Sequence, residues 1–354
     1  MNTKGNIERH SKIKLDIYKK YLEAYLAIMS VVPAFTDIFI IEPFAGKGIA
    51  DNGEQGSALI AKDVIESIKQ SVGKTKNIYL KLNEYDKVFF DELLNNLSPL
   101  NDYIEIVNKD ANESLFNFLS ILNPKWHRLL FIDPWGYTQL RKETYQKIFT
   151  QANLDLLIFV PIYQIYRFLR KEETDEQLKP IATFLNDFDI SEAEAKKASN
   201  LGDFVNQIKD SISEKAATPF VYCKTLKNTK CNSEYALFFA TQHILGAQKF
   251  LEALDKIKEK DLFEDIVSDN EEIFTEEVKK YFNGKPLNNI ELYELGILNE
   301  FLPKRINLIL KNLENKKEIT VNVLDSSNRR KGIFYIGYNY YKEKPKVQII
   351  FNGE

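Results

Sequence analysis

Cysteine, methionine, tryptophan and histidine are all scarce in this chain of 354 residues, which holds two Cys, two Met, two Trp and three His. Two cysteines cannot build a disulfide framework, and in a reducing compartment Cys223 and Cys231, on facing strands of an expected hairpin, are packed thiols rather than a redox pair. The histidines His10, His127 and His243 lie far apart, without Cys or carboxylate at metal-ligand spacing, so no metal site is expected. Long apolar runs are also missing. Runs such as 38–41 and 154–163, the second broken by Asp155, fall far short of the roughly 20 residues that span a bilayer. No membrane segment is expected. Residues 1–14 are polar and lack the apolar centre of a secretory signal, so a cytoplasmic location is expected. With 14 Gly and 11 Pro, collagen-like and low-complexity readings are excluded.

What is present is an ordinary globular balance, 44% apolar and 28% charged residues, with room for one large domain and a small one. The net charge of −3 is unevenly spread. Residues 302–354 hold eleven Lys/Arg against five Asp/Glu, a local +6 that leaves −9 for the rest. A basic tail on an acidic body points to a carboxy-terminal module that meets a polyanion.

Ile13, Ile17, Tyr21, Leu22, Tyr25 and Ile28 recur at spacings of three and four, which predicts an amino-terminal helix ended by Pro33. Four strand-like segments, 38–41, 78–82, 103–107 and 129–132, then alternate with helical ones, 58–69, 88–97, 113–122 and 143–150, before a fifth strand at 154–160. Nearly continuous apolar strands separated by helices predict a doubly wound parallel sheet. Residues 163–215 read as a helical insertion, 220–226 and 235–241 as an antiparallel hairpin, and 243–257 as a helix behind it. Five parallel strands followed by a hairpin are the layout of the class I methyltransferases, whereas dinucleotide-binding folds end on a parallel sixth strand. The expected organisation is therefore an N-terminal helix (1–35) covering the site, an α/β domain (36–260), a charged connector (261–290) and a winged-helix-like module (291–354). In the last, a helix at 301–313 precedes strands at 318–324, 333–336 and 347–351. The polar, basic tip 325–332, with Arg329, Arg330 and Lys331, suits contact with nucleic-acid phosphates.

The strongest chemical signal is Ile40-Ile41-Glu42-Pro43-Phe44-Ala45-Gly46-Lys47-Gly48, a strand entering a glycine turn through which the backbone can approach a ligand. Asp51 stands where a dinucleotide fingerprint needs its third glycine, and Ile68 where a phosphate loop ending Gly73-Lys74-Thr75 needs its first. Glu42, Phe44, Ala45 and the two glycines instead resemble the first motif of S-adenosylmethionine (SAM) methyltransferases. Another nucleotide or a decayed pocket remain alternatives. Glu84, after the second strand, can accept both ribose hydroxyls, and Asp110 with Ala111, after the third, can meet the adenine edge.

The fourth strand ends Phe131-Ile132-Asp133-Pro134-Trp135-Gly136-Tyr137. Methyltransferases of nucleic-acid amino groups carry Asp/Asn-Pro-Pro-aromatic here, where the acid and a carbonyl accept from the amine and the aromatic stacks on the base. Asp133 and Pro134 fit, and either Trp135 or Tyr137 must supply the platform. The plain alternative is a strand that stops at Asp-Pro and buries a Trp. Tyr163, Tyr166, Phe168, Arg167 and Arg170 could stack bases but suit core packing better.

His10-Ser11-Lys12-Ile13-Lys14 with Tyr21-Leu22, the run Glu42 to Gly48, Gly56-Ser57, Phe131 to Tyr137 and Asn232 to His243 together resemble the three-Cys-motif partner family over nearly the whole chain. The resemblance implies a methyltransferase-like fold in bacterial and phage-associated gene neighbourhoods, with a radical-SAM-like partner that carries the cysteines. It also places Ser57 with the cofactor motif. Ribosomal RNA adenine-N6 methyltransferases resemble it more distantly, and by that analogy His10 and Lys14 cover the cofactor pocket. The expected activity is SAM-dependent methylation of a base amine in DNA or RNA. The competing expectation is a nucleic-acid recognition subunit dependent on the partner protein.

Overall fold

The computed structural model describes residues 8–72, 76–120, 123–170, 175–228, 233–258, 276, 285–324 and 329–352. Its contacts divide the chain into two units, Met1–Gln242 and His243–Glu354.

The first unit is built on a seven-stranded sheet of order β3-β2-β1-β4-β5-β7-β6. Strands β1 (Asp37–Glu42), β2 (Asn77–Asn83), β3 (Ile104–Val107), β4 (Trp126–Ile132) and β5 (Leu154–Val160) are parallel. Between them run α2 (Ser57–Val72), α3 (Lys87–Leu97), α4 (Ala111–Phe118) and α5 (Lys142–Phe149). The hairpin β6 (Phe220–Asn228) and β7 (Ser233–Thr241) closes the edge, with β7 antiparallel to β5. This is the doubly wound, Rossmann-like sheet of the class I methyltransferases. Strand β5 is buried along its whole length, as a strand covered on both faces must be.

Helix α1 (Arg9–Met29) packs on this sheet through more than its apolar stripe. Three buried tyrosines, spaced as one helical face, end on polar groups of three adjacent strands. Tyr18 Oη donates to Glu42 Oε1 of β1 at 2.6 Å, Tyr21 Oη to Asp155 Oδ2 of β5 at 2.7 Å, and Tyr25 Oη meets His127 Nδ1 of β4 at 2.9 Å. Burial and the facing carboxylates push the Tyr18 and Tyr21 phenols well above their ordinary pKa, so both stay donors. Asp155, the charge that interrupts the fifth apolar strand, is thus an anchor for α1.

The insertion folds as α6 (Ile162–Leu169), α7 (Asp175–Asp187), α8 (Glu192–Ala195) and α9 (Leu201–Lys215). Phe184, Phe188, Phe204 and Ile208 join Tyr145 and Phe149 of α5 in the core, and Tyr166 and Phe168 pack against its edge, the packing use expected of them. At the end of α7, Asp187 is buried and its Oδ2 has no hydrogen-bond partner among the described residues. Burial, then the charge of Glu143, raise its pKa from 3.8 to about 7, against the pull of Lys142. A raised folded pKa means that the unfolded chain ionises first, so stability is full below the unfolded pKa of 3.8, falls as pH rises towards 7 and is level above. Asp187→Asn is expected to match the parent at about pH 3 and to exceed it by about 3 kcal/mol at about pH 8 in urea unfolding. An equal gap at both pH values would mean that Asp187 is ionised in the fold.

The second unit contains α10 (Ile244–Lys258), whose Gln248 accepts from Tyr293 Oη at 2.6 Å. Strand β8 (Leu287–Asn288) leads into α11 (Asn289–Leu298) through a capping box between Asn288 and Glu291. Helix α12 (Pro303–Asn315), β9 (Ile319–Val323), the short α13 (Tyr338–Tyr341) and β10 (Val347–Phe351) complete it, with sheet order β8-β10-β9. Residues 333–336, expected as a strand, are not one. Phe334 and Ile336 are buried, but Tyr335 has φ +54° and its carbonyl accepts from Asn289 Nδ2 at 3.1 Å instead of joining the sheet. The partner of β9 is β10. The tip 325–328, Cys231 and most of the connector 261–290 lie outside the described residues. Among the described residues, no helix is long and apolar enough to cross a membrane.

Candidate active site

The strand order reverses between β1 and β4, and the loops at the carboxyl ends of parallel strands diverge there into a crevice. A cavity of about 1430 Å³ opens at this point, larger than the 300–1,000 Å³ typical of a single small-ligand site. It is lined by Phe44, Ala45, Gly46 and Gly48 after β1, Ser57 at the start of α2, Glu84 after β2, Asp110 and Ala111 after β3, and Asp133 to Tyr137 after β4. Four separate loops therefore converge as the sequence expected. Asn83, fully buried at the end of β2, ties the loops after β1 and β3 to it: Ala45 N donates to its carbonyl at 2.9 Å, its Nδ2 donates to Pro43 O at 3.0 Å, and its Oδ1 accepts from Lys109 N at 3.1 Å.

The turn after β1 is fixed by Glu84, whose Oε2 accepts from Gly46 N and whose Oε1 accepts from Asp86 N, each at 2.9 Å. Burial raises the pKa of Glu84 although both N–H bonds pull it down. The carboxylate expected to hold ribose thus also shapes the glycine turn, and each oxygen keeps a second lone pair for a ligand. Asp110 caps α4 through Oδ1, accepting from Asn112 N at 3.0 Å and Glu113 N at 3.3 Å, which leaves Oδ2 for a ligand.

Glu42 differs from expectation. It is fully buried behind the turn and does not line the cavity, since Tyr18 holds Oε1 and Ser57 Oγ donates to Oε2 at 2.5 Å. Burial raises its pKa to about 7, opposed by those two hydroxyl bonds. It fastens α1 and α2 to the end of β1 and acts on a ligand only through the turn that it anchors.

The first turns of α1 form one wall, with His10, Ser11, Lys14 and Leu15 on the cavity. Lys14 Nζ pairs with Asp133 Oδ2, and the same ammonium lies 4.4 Å from the centre of the Phe159 ring. Asp133 Oδ1 has no partner among the described residues. His10 stacks on Tyr235 at 4.4 Å, and Tyr235 on Phe159 at 5.1 Å, almost parallel in both cases. Burial pushes the His10 imidazole below its ordinary pKa, against the pull of Glu8 at 3.5 Å, so it stacks in the neutral form.

Trp135 is 80% exposed at the mouth, which removes the reading of a strand end that buries a tryptophan. Phe89 lies 6.4 Å from it, and Tyr85 is 73% exposed nearby on the lining. Tyr137 is half-buried and meets Phe184 edge-on at 5.9 Å. Of the two candidates, Trp135 therefore offers the open face. In the second unit Arg330 and Lys331 are exposed, whereas Arg329 is not available to phosphate. Its guanidinium pairs with Glu314, and its side chain is only 9% exposed.

Sequence reasoning missed Phe159, Tyr235, Tyr85 and Phe89 as lining residues. Phe159 and Tyr235 sit on strands whose apolar runs read only as core, and nothing in a periodic pattern marks the last inward ring before a cavity. Tyr85 and Phe89 were legible, because aromatics next to Glu84 and Asp86, on the strand-to-helix loop and in the first turn of the helix after it, must lie at the same sheet edge.

No protein-family model and no curated protein matches the sequence. Solved structures with a similar fold include the protein LPL1258 from Legionella pneumophila, at TM-score 0.40 and 16% identity over 72% of this chain and 92% of that one. A Staphylococcus aureus structure described as a caffeoyl-CoA O-methyltransferase gives TM-score 0.33 and 11% identity over 67% and 87%. The Escherichia coli protein yhhF, a structure described as a methyltransferase, gives 0.29 and 13% over 64% and 86%. Likenesses this distant carry no functional argument, which rests on strand order and site geometry.

Proposed function

We propose that this chain is a SAM-dependent methyltransferase that acts on an exocyclic amine of a nucleic-acid base. The observation that carries the reading is the convergence of Gly46, Glu84, Asp110 and Asp133 on one cavity at the point where the strand order reverses. Gly46 has φ +63° with open space where a side chain would stand, so its backbone can be approached closely. Six carboxylates line the cavity, Glu8, Asp51, Glu84, Asp86, Asp110 and Asp133, against two ammonium groups, Lys14 and Lys47. Such a lining favours a cationic ligand and disfavours the pyrophosphate of a dinucleotide.

The donor set fits SAM. Glu84 would hold the ribose hydroxyls, Asp110 Oδ2 and the Ala111 backbone the adenine edge, and Phe44, Ala45, Gly46, Gly48 and Ser57 the turn around it. When bound, the cofactor supplies an electrophilic methyl group on a sulfonium. Asp133 Oδ1 accepts a hydrogen bond from the target amine, the Pro134 carbonyl offers a second acceptor, and Trp135 gives the base a stacking face. These contacts orient the nitrogen lone pair, and alignment rather than a covalent enzyme intermediate lowers the barrier. The helix–strand–helix–helix–strand order of the second unit, completed by the short α13 and β10, supports a winged-helix-like module, with Arg330 and Lys331 as its basic contacts.

A second reading is favoured by the Lys14 ammonium on Asp133, because a carboxylate already paired is a weaker acceptor for a neutral amine. In it the chain binds nucleic acid and depends on a radical-SAM-like partner, as the three-Cys-motif resemblance implies. Calorimetric titration with SAM and S-adenosylhomocysteine, with NAD as control, tests the first reading. Micromolar binding of SAM, about −8 kcal/mol, is the expected result. No binding to any of the three would overturn it in favour of the partner-dependent subunit.

A further inference from the structure

We propose that the outer face of α12, together with residues 330–331 strapped against it, is a docking surface for duplex DNA. The inference deepens the nucleic-acid reading above by naming the form of the polymer and the element that grips it.

Helix α12 buries Ile306, Ile309, Leu310 and Leu313. What remains outward is Lys304, Leu308, Lys311, Asn312 and Asn315, all exposed and at the spacing of a single face. Its sole carboxylate is Glu314, and that charge is cancelled: Arg329 pairs with Glu314 Oε1, and Gly332 N donates to Oε2 at 2.9 Å. Arg329 Nη1 also donates to Ile333 O at 3.0 Å, so the segment after the tip is pinned onto the helix. The Lys311 stem runs beside Gly332, where an added Cβ would lie 3.5 Å from its Cγ and Cδ. Arg330 and Lys331 therefore stand next to Lys311, and neither they nor Lys304 and Lys311 have a carboxylate partner among the described residues.

An outward helical face with unopposed cations attracts a polyanion, and the shape selects which one. An α-helix with side chains is roughly 10 to 12 Å across, which matches the major groove of B-form DNA at about 12 Å. The deep, narrow major groove of duplex RNA does not admit it. Asn312 and Asn315 supply the paired donor and acceptor that suit base edges, and Leu308, 51% exposed, supplies an apolar contact suited to a thymine methyl. Single strands have no groove to hold such a face.

The test is fluorescence anisotropy of the full chain with a labelled DNA duplex, its single strand and the matching RNA duplex, over a salt series. Duplex DNA is expected to bind at least about tenfold tighter than either alternative. Lys304→Glu/Lys311→Glu is expected to weaken duplex binding at least about thirtyfold at low salt. The milder Lys304→Gln/Lys311→Gln is expected to flatten the slope of log K against log salt by about 1.8, two phosphate contacts. Unchanged melting and unchanged SAM titration in both variants keep the loss local to α12. Equal affinity for single strands or RNA duplex, or an unchanged salt slope in the glutamine variant, would overturn the proposal. Duplex binding without SAM binding in the parent protein would instead overturn the methyltransferase reading and leave this one standing.

Discussion

Asp133→Ala is expected to cut methyl transfer by at least about a hundredfold, the lower range for loss of a positioned acid–base group, while SAM affinity stays within about threefold. Asp133 stands at the end of β4, at the strand-order reversal, and its Oδ2 is held by Lys14 while Oδ1 keeps its acceptor capacity. As an amine nitrogen gains the methyl group it gains positive charge, and a carboxylate at hydrogen-bond distance stabilises that charge more in the transition state than in the ground state. The loss should therefore appear in kcat rather than in KM. Alanine also leaves the Lys14 ammonium, with a side chain only 7% exposed, without its partner, so the melting temperature must be followed alongside. Asp133→Asn separates the two effects. It keeps one acceptor oxygen and most of the shape but not the charge, and is expected to retain the fold and lose most of the turnover. Full turnover in a folded Asn or Ala variant would show that the acceptor lies elsewhere.

The parts of this molecule that were legible in sequence are those in which one periodicity dominates. Strands β1 to β5 are short apolar runs between helical stripes, and a parallel sheet is the arrangement that buries both of their faces. Loop chemistry followed from that, since residues after successive parallel strands must share one sheet edge, and Gly46, Glu84, Asp110 and Asp133 do. Partners contributed by distant segments were not legible. Glu42 reads as a ligand residue from its place before the turn, yet Tyr18 and Ser57 consume its oxygens, and only the packing of α1 on the sheet reveals this. Arg329 reads as a phosphate contact among three basic residues, but Glu314, fifteen positions earlier, claims it. Residues 333–336 are a short apolar run like a strand, and the side chain of Asn289, 46 positions before Tyr335, holds the Tyr335 carbonyl instead. The capping signal Asn288-Asn289-Ile290-Glu291 was open to reading and marks the start of α11, where the mixed charge of the preceding segment hid it.

Gly46→Asp is expected to weaken SAM binding about a hundredfold, about 2.7 kcal/mol, without unfolding the protein. The two halves of that expectation come from the same turn. At Gly46 φ is +63°, in the left-handed region that Asp tolerates at modest cost, and nothing in the protein lies within 4 Å of an added Cβ. The backbone N–H that holds Glu84 is unaffected by the substitution. A new side chain therefore meets the ligand space and little else. Gly48 is the contrast: there φ is +84° and an added Cβ would stand 2.6 Å from Leu59 Cδ1 and 3.1 Å from Leu93 Cδ1, so even Ala must move buried side chains. Substitution at 48 is expected to lower the melting temperature, and substitution at 46 to lower affinity at nearly constant melting temperature. Calorimetry and thermal melts on the two variants together separate a cofactor turn from a purely structural one. Unchanged SAM affinity in a folded Gly46→Asp protein would mean that the turn after β1 holds no cofactor, and the proposed active site would lose its first element.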